Sequence, residues 1–377
     1  MNQNSTDNKR VSLCMAAIDK YIEDTIVRPT EIENKSKGFV LWGEKNDYPD
    51  YLLALYENVA TLQSVINGTV DFIVGDKVTI PGLNGLPLDM VNRKETIREQ
   101  VKKVALDLTL YGAFALQVIR NKVGEVAEVH YIDIRYLRTD KECEVFYYSE
   151  NWAKGFRKDV LVYPAFRKDI NWAELDEEQK KNVSSSILYV KTNHKHVYAQ
   201  PPYAGALKAC EMERRINDFH LNDLENHFTP SVMVTFCNGV PEPNEMEEVT
   251  NDLNEKYAGY QNAGRMIASF APSRTNAPIV ERLNMDDFGE RYQALALRSR
   301  QDIFTAFRAT PTIFGIPTDN NGFSNDDYEG AFKLYNRTCV RPSQAVICDA
   351  YDKIYGETGV LTITPFSLEK DEETNVN

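Results

Sequence analysis

The sequence predicts an α+β protein, and three observations carry that expectation. Long stretches with apolar residues at three- and four-residue spacing recur along the chain, stopped by glycine or proline, which is the pattern of amphipathic helices. Between them lie short apolar runs with alternating ends and turn residues between neighbours, the pattern of strands. The 377 residues, 42% hydrophobic and 11% aromatic, are enough to bury a sizeable core and to make two or three domains.

The first helical signal opens at Asn46-Asp47-Tyr48-Pro49-Asp50, where proline suits the first turn and the acids suit the helix dipole. Leu52, Leu55, Tyr56 and Val59, then Val65, Ile66, Val70, Phe72 and Ile73, predict two helices ending at Gly75. A third runs from about Lys94 to Leu110. After Tyr111-Gly112 the run AFALQVIRN predicts a strand, KVGE a turn, and VAEVHYIDI the second strand of a hairpin. From Cys143 to Tyr198 the pattern weakens to short aromatic strands, EVFYY and SILYVKT, around an acidic helix near NWAELDEEQKK. This stretch reads as an elaboration.

Residues 203 to 228 carry Leu207, Cys210, Ile216, Phe219, Leu224 and Phe228 at helical spacing and predict one long helix, ended by Pro230. SVMVTF predicts a strand, Asn238-Gly239 a turn, residues 244 to 258 an acidic helix, and GRMIASF a strand. A second long helix spans 285 to 308, with Phe288, Tyr292, Leu295, Ile303 and Phe307 along one side and Arg291 and Arg298 on a neighbouring face. A third is expected from Asn325 to Tyr355, with a kink near Pro342, because an interior proline removes a hydrogen bond at roughly 3 kcal/mol. GVLTITPF predicts a closing strand before an acidic tail.

Charge and cysteine usage exclude several classes. A formal net charge of -13 lacks the basic footprint of a protein that grips nucleic acid through its phosphates. Six cysteines without a Cys-x-x-Cys pair point away from disulfides and structural zinc and read as reduced fillers. The polar start MNQNSTDNKR has no secretory pattern, and the longest apolar run, Ala105 to Ile119, is too short and contains Asp107, so no membrane segment is expected.

The oxygen-rich loop IPTDNNGFSNDDYEG invites a calcium reading, and counting rejects it. Gly322 at position six of an EF-hand would put Pro317 at position one and Tyr328 at position twelve, and neither supplies a carboxylate. Ser324 with Asp327 fits a capping box for the following helix, leaving 316 to 323 as a mobile connection. His194 and His196 would share one side of a strand as metal ligands, but no spaced carboxylate or cysteine completes the set. No glycine-rich phosphate loop or nucleophile motif occurs, the acidic run EPNEMEEVTNDLNE reads as an exposed helix face, and no cofactor is expected.

The succession of elements resembles the portal proteins of tailed double-stranded DNA phages of the siphovirus type. The resemblance rests on NDYPDYLLALYENVATLQSVINGTVDFIVGDKV, DLTLYGAFALQVIRNKVGEVAEVHYIDIRYLR, PPYAGALKACEMERRINDFHLNDLENHFTPSVMVTF, YQNAGRMIASF and FTAFRATPTIFGIPTDNNGFSNDDYEGAFKLYNRTCVRPSQ, which lie between residues 45 and 365. It implies a mixed α/β wing over residues 1–202, stem helices at 203–228 and 283–308, and a strand-helix-strand clip at 229–282 whose acidic helix carries Glu245, Glu247, Glu248 and Asp252. Residues 309–366 would supply a tunnel loop (Pro317, Asp319, Asn320, Asn321, Gly322, Phe323), a wing helix kinked at Pro342 and the closing strand, followed by an acidic tail at 367–377. Only eleven residues follow Phe366, so a crown would be short or absent.

In function the resemblance implies a non-enzymatic homo-oligomer of about a dozen copies at one capsid vertex, assembled in the host bacterial cytoplasm. Its partners would be DNA passing through the channel, the large terminase subunit, major capsid and scaffolding proteins, and a head-to-tail adaptor, with no membrane. Arg291, Arg298 and Arg300 would pair with acids of a neighbouring subunit. The rival readings are a monomeric metal-dependent enzyme using His194 and His196, and a scaffold or interaction protein that forms no ring.

Overall fold

A computed structural model describes residues 31–34, 38–82, 85–152, 160–192, 195–225, 232–236, 244–246, 249, 266–271, 273, 286–316 and 325–367. The chain divides into two compact units, one of residues 1–210 with 301–377 and the other of residues 211–300. The cut lies inside both predicted stem helices because their outer ends are core: Leu207, Ala209 and Cys210, and Ile303, Phe304 and Phe307, are buried with the larger unit.

In the larger unit, strands β1 (Glu31–Asn34) and β2 (Phe39–Trp42) form an antiparallel pair ahead of helices α1 (Tyr48–Asn58) and α2 (Ala60–Val74). Pro49 sits in the first turn of α1, as its fixed φ favours. A short strand β3 (Lys77–Thr79) leads to α3 (Ile97–Tyr111), which starts three residues later than predicted because Thr96 and Glu99 close a capping box. Gly112, with φ 79°, ends α3 in the left-handed conformation, and a Cβ there would lie 2.3 Å from the Gln200 carbonyl oxygen.

The predicted hairpin is present as β4 (Ala113–Arg120) and β5 (Val126–Ile132). The stretch from 143 to 198 is not an elaboration. Its last strand, β9 (Ser185–Lys191), pairs antiparallel with β4 in the order β5-β4-β9, so it completes the sheet against which the helices pack. Strands β6 (Leu137–Thr139), β7 (Val145–Tyr148) and β8 (Leu161–Pro164) form a second antiparallel sheet. The acidic segment near 171–181 is not one helix: a 3-10 turn at Trp172–Glu174 precedes α4 (Glu177–Val183), which Asp176 and Gln179 cap.

The predicted helix at 203–228 begins with a 3-10 turn, Ala204–Ala206, and is α-helical as α5 (Leu207–Glu225). Helix α6 (Asp286–Ala306) matches the second long helix, and a 3-10 turn at Pro311–Phe314 follows it. The third long helix is not continuous. Helix α7 (Asn325–Tyr335) passes through a π-helical turn at Asn336–Val340 into α8 (Arg341–Tyr355), and Pro342 lies in the first turn of α8. The Arg341 N–H reaches the Asn336 carbonyl, five residues back, so the irregularity sits just ahead of the proline, where a regular ladder would bring its ring against a carbonyl. The buried positions record the extra residue: Phe332 to Tyr335 is a step of three, Tyr335 to Val340 a step of five. Strand β12 (Thr362–Thr364) then pairs with β3.

The core lies between α2, α3, α8 and the first sheet, and several polar side chains inside it are hydrogen-bonded, although the Trp42 Nε1 and the Tyr203 hydroxyl are not. Gln100 donates to the Val129 carbonyl at 3.0 Å and accepts from the Tyr351 hydroxyl at 2.6 Å, while Gln344 donates to the Ile73 carbonyl at 2.9 Å. Arg138 is fully buried between Trp42 and Trp152, its guanidinium 5.8 and 5.0 Å from their rings. It donates to the side chain and carbonyl of Asn46 and to the carbonyls of Arg135 and Leu137. Beside it, Trp42 stacks on Tyr198 at 4.5 Å with planes 5° apart, tying β2 to the residues that follow β9.

Asp107 is also buried in this core. Burial raises its carboxyl well above the ordinary range, the nearby Asp133 adds to the rise, and the Tyr131 hydroxyl, donating at 3.0 Å, offsets only part. The unfolded chain ionises this group near pH 4, so between that pH and the higher folded value the native state holds the extra proton. Stability conferred at low pH is therefore lost as pH rises through the window. Asp107→Asn keeps an acceptor for Tyr131 without the charge, and its melting temperature relative to the parent is expected to be higher at pH 8 than at pH 4.5. A variant that loses more stability at pH 8 than at pH 4.5 contradicts this.

Candidate functional site

The smaller unit carries exposed apolar side chains on two helices whose aromatic residues meet. Phe219 on α5 stacks on Tyr292 of α6 at 5.0 Å, and the His220 ring meets Tyr292 edge-on at 5.7 Å. Met212 and Leu221 on α5 remain 40% and 57% exposed, and Leu295 and Leu297 on α6 remain 39% and 49% exposed. Large apolar side chains left to water on adjoining helix segments are the usual mark of an interaction surface.

The polar side of α5 is held by Glu211, which Arg214 engages through two nitrogens, at 2.7 and 3.1 Å, and Arg215 through Nε at 2.9 Å. Burial would raise the Glu211 carboxyl, but these bonds outweigh it and hold the group below its ordinary range. Strands β10 (Val232–Phe236) and β11 (Met266–Phe270) pair in parallel, Val232 opposite Met266. A parallel pair requires a crossover, which agrees with the helical turn described at 244–246 between them.

The predicted residues fall unevenly on this frame. Arg298 and Arg300 are exposed on α6, whereas the Arg291 side chain lies outside the described residues. Glu245 is exposed on its helical turn, and Glu247, Glu248 and Asp252 lie outside the described residues. So do Pro317, Asp319, Asn320, Asn321, Gly322 and Phe323, together with Ser324 of the expected capping box and His194. His196 is described; it sits beyond the end of β9, with Nδ1 3.9 Å from a Glu31 carboxylate oxygen. Among the described residues no three His, Cys, Asp or Glu side chains gather as metal ligands.

The residues on either side of the 317–324 segment are described, and they are set in aromatic packing that no local pattern along the chain groups together. Phe314 contacts Phe72, Phe304 and Tyr335 with ring centroids 6.0 to 6.1 Å apart. Phe72 also meets Phe332 at 5.2 Å and Phe366 at 5.5 Å. The Tyr335 hydroxyl is 2.7 Å from Thr69 Oγ1. Gly68 on α2 allows the approach, since a Cβ there would lie 2.4 Å from Phe314 Cδ1. The available signal was a glycine inside an otherwise apolar helix, which often marks close packing.

The described fold, an α/β unit and a smaller unit, has solved counterparts. It is similar to a chain in the neck of an empty gene transfer agent particle, computed with C6 symmetry, with TM-score 0.54, 16% identity, and coverage of 86% of this chain and 85% of that one. A chain in the neck of the native particle, computed with C12 symmetry, gives TM-score 0.51 and 18% identity, covering 86% of each. In sequence, 263 residues are 20% identical to the probable portal protein of Haemophilus phage HP1, covering 69% of this chain and 70% of that protein. Residues 55–364 match the family model described as phage portal protein, and the chain belongs to that family.

Proposed function

We propose that the chain assembles as a closed ring of about a dozen copies at one vertex of a phage capsid and forms the channel for genome packaging and ejection. The observation that carries this reading is the exposed apolar residues on both sides of α5 and α6, in a member of the portal family. The neighbouring copies on the two sides cover Met212, Leu221, Leu295 and Leu297 between them, and Arg291, Arg298 and Arg300 pair with their acids. Residues 1–202 act as the wing, 203–228 and 283–308 as the stem, and 229–282 as the clip, with Glu245, Glu247, Glu248 and Asp252 facing the packaging motor. The segment Pro317 to Phe323 enters the channel, and the helix interrupted near Pro342 stands behind it.

The mechanism follows from charge. A phosphate polymer slides through a bore whose walls do not bind it tightly, and a net charge of -13 meets that condition. Among 316 to 329 there are four acids and no basic residue. The terminase large subunit and later the head-to-tail adaptor dock at the clip, and capsid and scaffolding proteins surround the wing. The role is structural and non-enzymatic, the place is the virion, and assembly occurs in the host bacterial cytoplasm.

The test is the oligomer. Negative-stain images and light-scattering mass are expected to show closed rings for the parent protein. Leu221→Asp with Leu297→Asp is expected to give a monomer with nearly unchanged melting, because both positions are exposed in the protomer while a carboxylate buried in an apolar contact costs several kcal/mol. A parent protein that stays monomeric at high concentration in both low and high salt removes the ring reading.

A further inference from the structure

Arg308 occupies a backbone position that glycine ordinarily takes. Just past the end of α6 its N–H donates to the Thr305 carbonyl, and the Ala309 N–H donates to the Phe304 carbonyl, both at 3.0 Å, which are the paired bonds of a Schellman cap. The cap holds Arg308 in the left-handed region, with φ 55°. Asparagine and aspartate tolerate that region, as Asn46 and Asp89 do here, but an arginine has no short polar side chain to offset the crowding at its Cβ. Strain of this kind concentrates where a side chain has a use.

The Arg308 side chain has company and no partner. Arg308, Arg337 and Arg341 are exposed, and among the described residues none of the three guanidiniums forms an ion pair or a hydrogen bond. Cys339 Sγ lies 3.8 Å from the Phe307 carbonyl oxygen, which sets the end of α6 beside the π turn that carries Arg337 and leads into Arg341. Arg337 and Arg341 are four residues apart and leave the helix on one side. Burial raises the Tyr335 phenol above its ordinary range, and the Arg308 charge is near enough to oppose the rise. Glu329, the carboxylate described on α7, is engaged by Lys333 at 3.0 Å. In a chain with 56 acids against 43 lysines and arginines, three guanidiniums without a carboxylate point to an anion from outside the protomer.

We infer that Arg308, Arg337 and Arg341 form a face that takes the phosphates of a nucleic acid backbone. A guanidinium meets a phosphate through two parallel N–H bonds, and such contacts hold the polymer without reading its sequence. The choice of DNA rests on the channel reading: Arg308 precedes and Arg337 and Arg341 follow the stretch 316 to 329, which holds four acids and no basic residue. A polymer repelled by those acids is met by cations on the chain at either end of the stretch.

The test is fluorescence anisotropy of a labelled duplex of about 25 base pairs with the full chain, between about 0.05 and 0.3 M salt. The parent is expected to bind duplexes of different sequence alike and to lose affinity as salt rises. Arg308→Gln with Arg337→Gln and Arg341→Gln should weaken binding at least about tenfold and flatten its salt dependence. Lys122→Gln with Lys141→Gln and Lys181→Gln removes the same charge from exposed positions on other elements and should change binding less than about threefold. Arg308→Gly should weaken binding and yet raise the melting temperature by about 2 °C, because glycine relieves the cap. No duplex binding by the parent at the lowest salt, an equal loss in the lysine variant, or a lower melting temperature for Arg308→Gly overturns the proposal. So does a triple arginine variant of lower mass than the parent, which assigns the three side chains to an acidic face of a second copy. A parent that is monomeric yet binds duplex through these arginines removes the ring reading and leaves this face standing.

Discussion

Arg138→Ala is expected to destabilise the larger unit by roughly 4 kcal/mol and to lower its melting temperature by on the order of 10 °C. The guanidinium is fully buried, and burial draws its pKa down to about 10, so it stays charged at neutral pH. Among the described residues no carboxylate pairs with it directly; its bonds go to three backbone carbonyls and the Asn46 side chain. Removing it leaves those acceptors dry and opens a void between Trp42 and Trp152, and each unsatisfied buried acceptor costs about 1 to 3 kcal/mol. Lysine is not a remedy, because one ammonium cannot reproduce the planar fork that reaches Asn46 and the Arg135 and Leu137 carbonyls together. Asn46→Ala should show part of the same loss, since Asn46 has φ 61° and also accepts from the Trp42 N–H at 3.0 Å. Thermal unfolding followed by tryptophan fluorescence reads all three variants. A melting temperature for Arg138→Ala within two degrees of the parent would show that the buried guanidinium contributes little.

Gly68→Ala should have the second largest effect, with a sign opposite to its effect in a free helix. In an exposed helix the change gains about 1 kcal/mol of propensity. Here the new methyl would lie 2.4 Å from Phe314 Cδ1, and the ring is confined by Phe72, Phe304 and Tyr335. Overpacking of this kind costs roughly 1 to 3 kcal/mol and is relieved by displacing the 3-10 turn Pro311–Phe314, one foot of the 317–324 segment. Phe314→Ala removes the obstruction, so the double variant should be less destabilised than the sum of the single ones. Denaturant unfolding of the four proteins gives the coupling directly, and strict additivity would mean that Gly68 and Phe314 do not oppose each other.

Both predictions rest on contacts between residues far apart in sequence, and that is where reading the chain alone failed. Helices α1, α2, α3, α5 and α6 were legible because apolar spacing is local and Pro49 marks the start of α1, whereas the capping box of Thr96 and Glu99, equally local, went unread and α3 begins three residues later than its spacing alone suggests. The hairpin of β4 and β5 was legible because its turn lies between its strands. Strand β9 pairs with β4 across about 70 residues, and nothing within SILYVKT says which sheet it joins. Burial of Arg138 has no local signature either, since its acceptors are backbone carbonyls and its packing surfaces are distant tryptophans. Of the candidate surface, the apolar positions of α5 and α6 were visible as a pattern, but which of them stay exposed is decided by what packs around them. The aromatic ring around Phe314 escaped for the same reason. Each member looked like an ordinary core residue of its own element.

The π turn between α7 and α8 acts as a phase shifter. One residue advances an α-helix by about 100°, so the five-residue step at Asn336–Val340 sets the rotational phase of everything after it. Deleting a single residue there would restore a regular helix and turn Gln344, Ile347 and Tyr351 by roughly a quarter of a revolution, away from Ile73 and Gln100. The chain is therefore out of tune with itself by one residue at this point, and both halves can be in register with the core only while the mismatch is kept. Length changes in this five-residue window act as whole-helix rotations, whereas substitutions that respect its length act only where they fall.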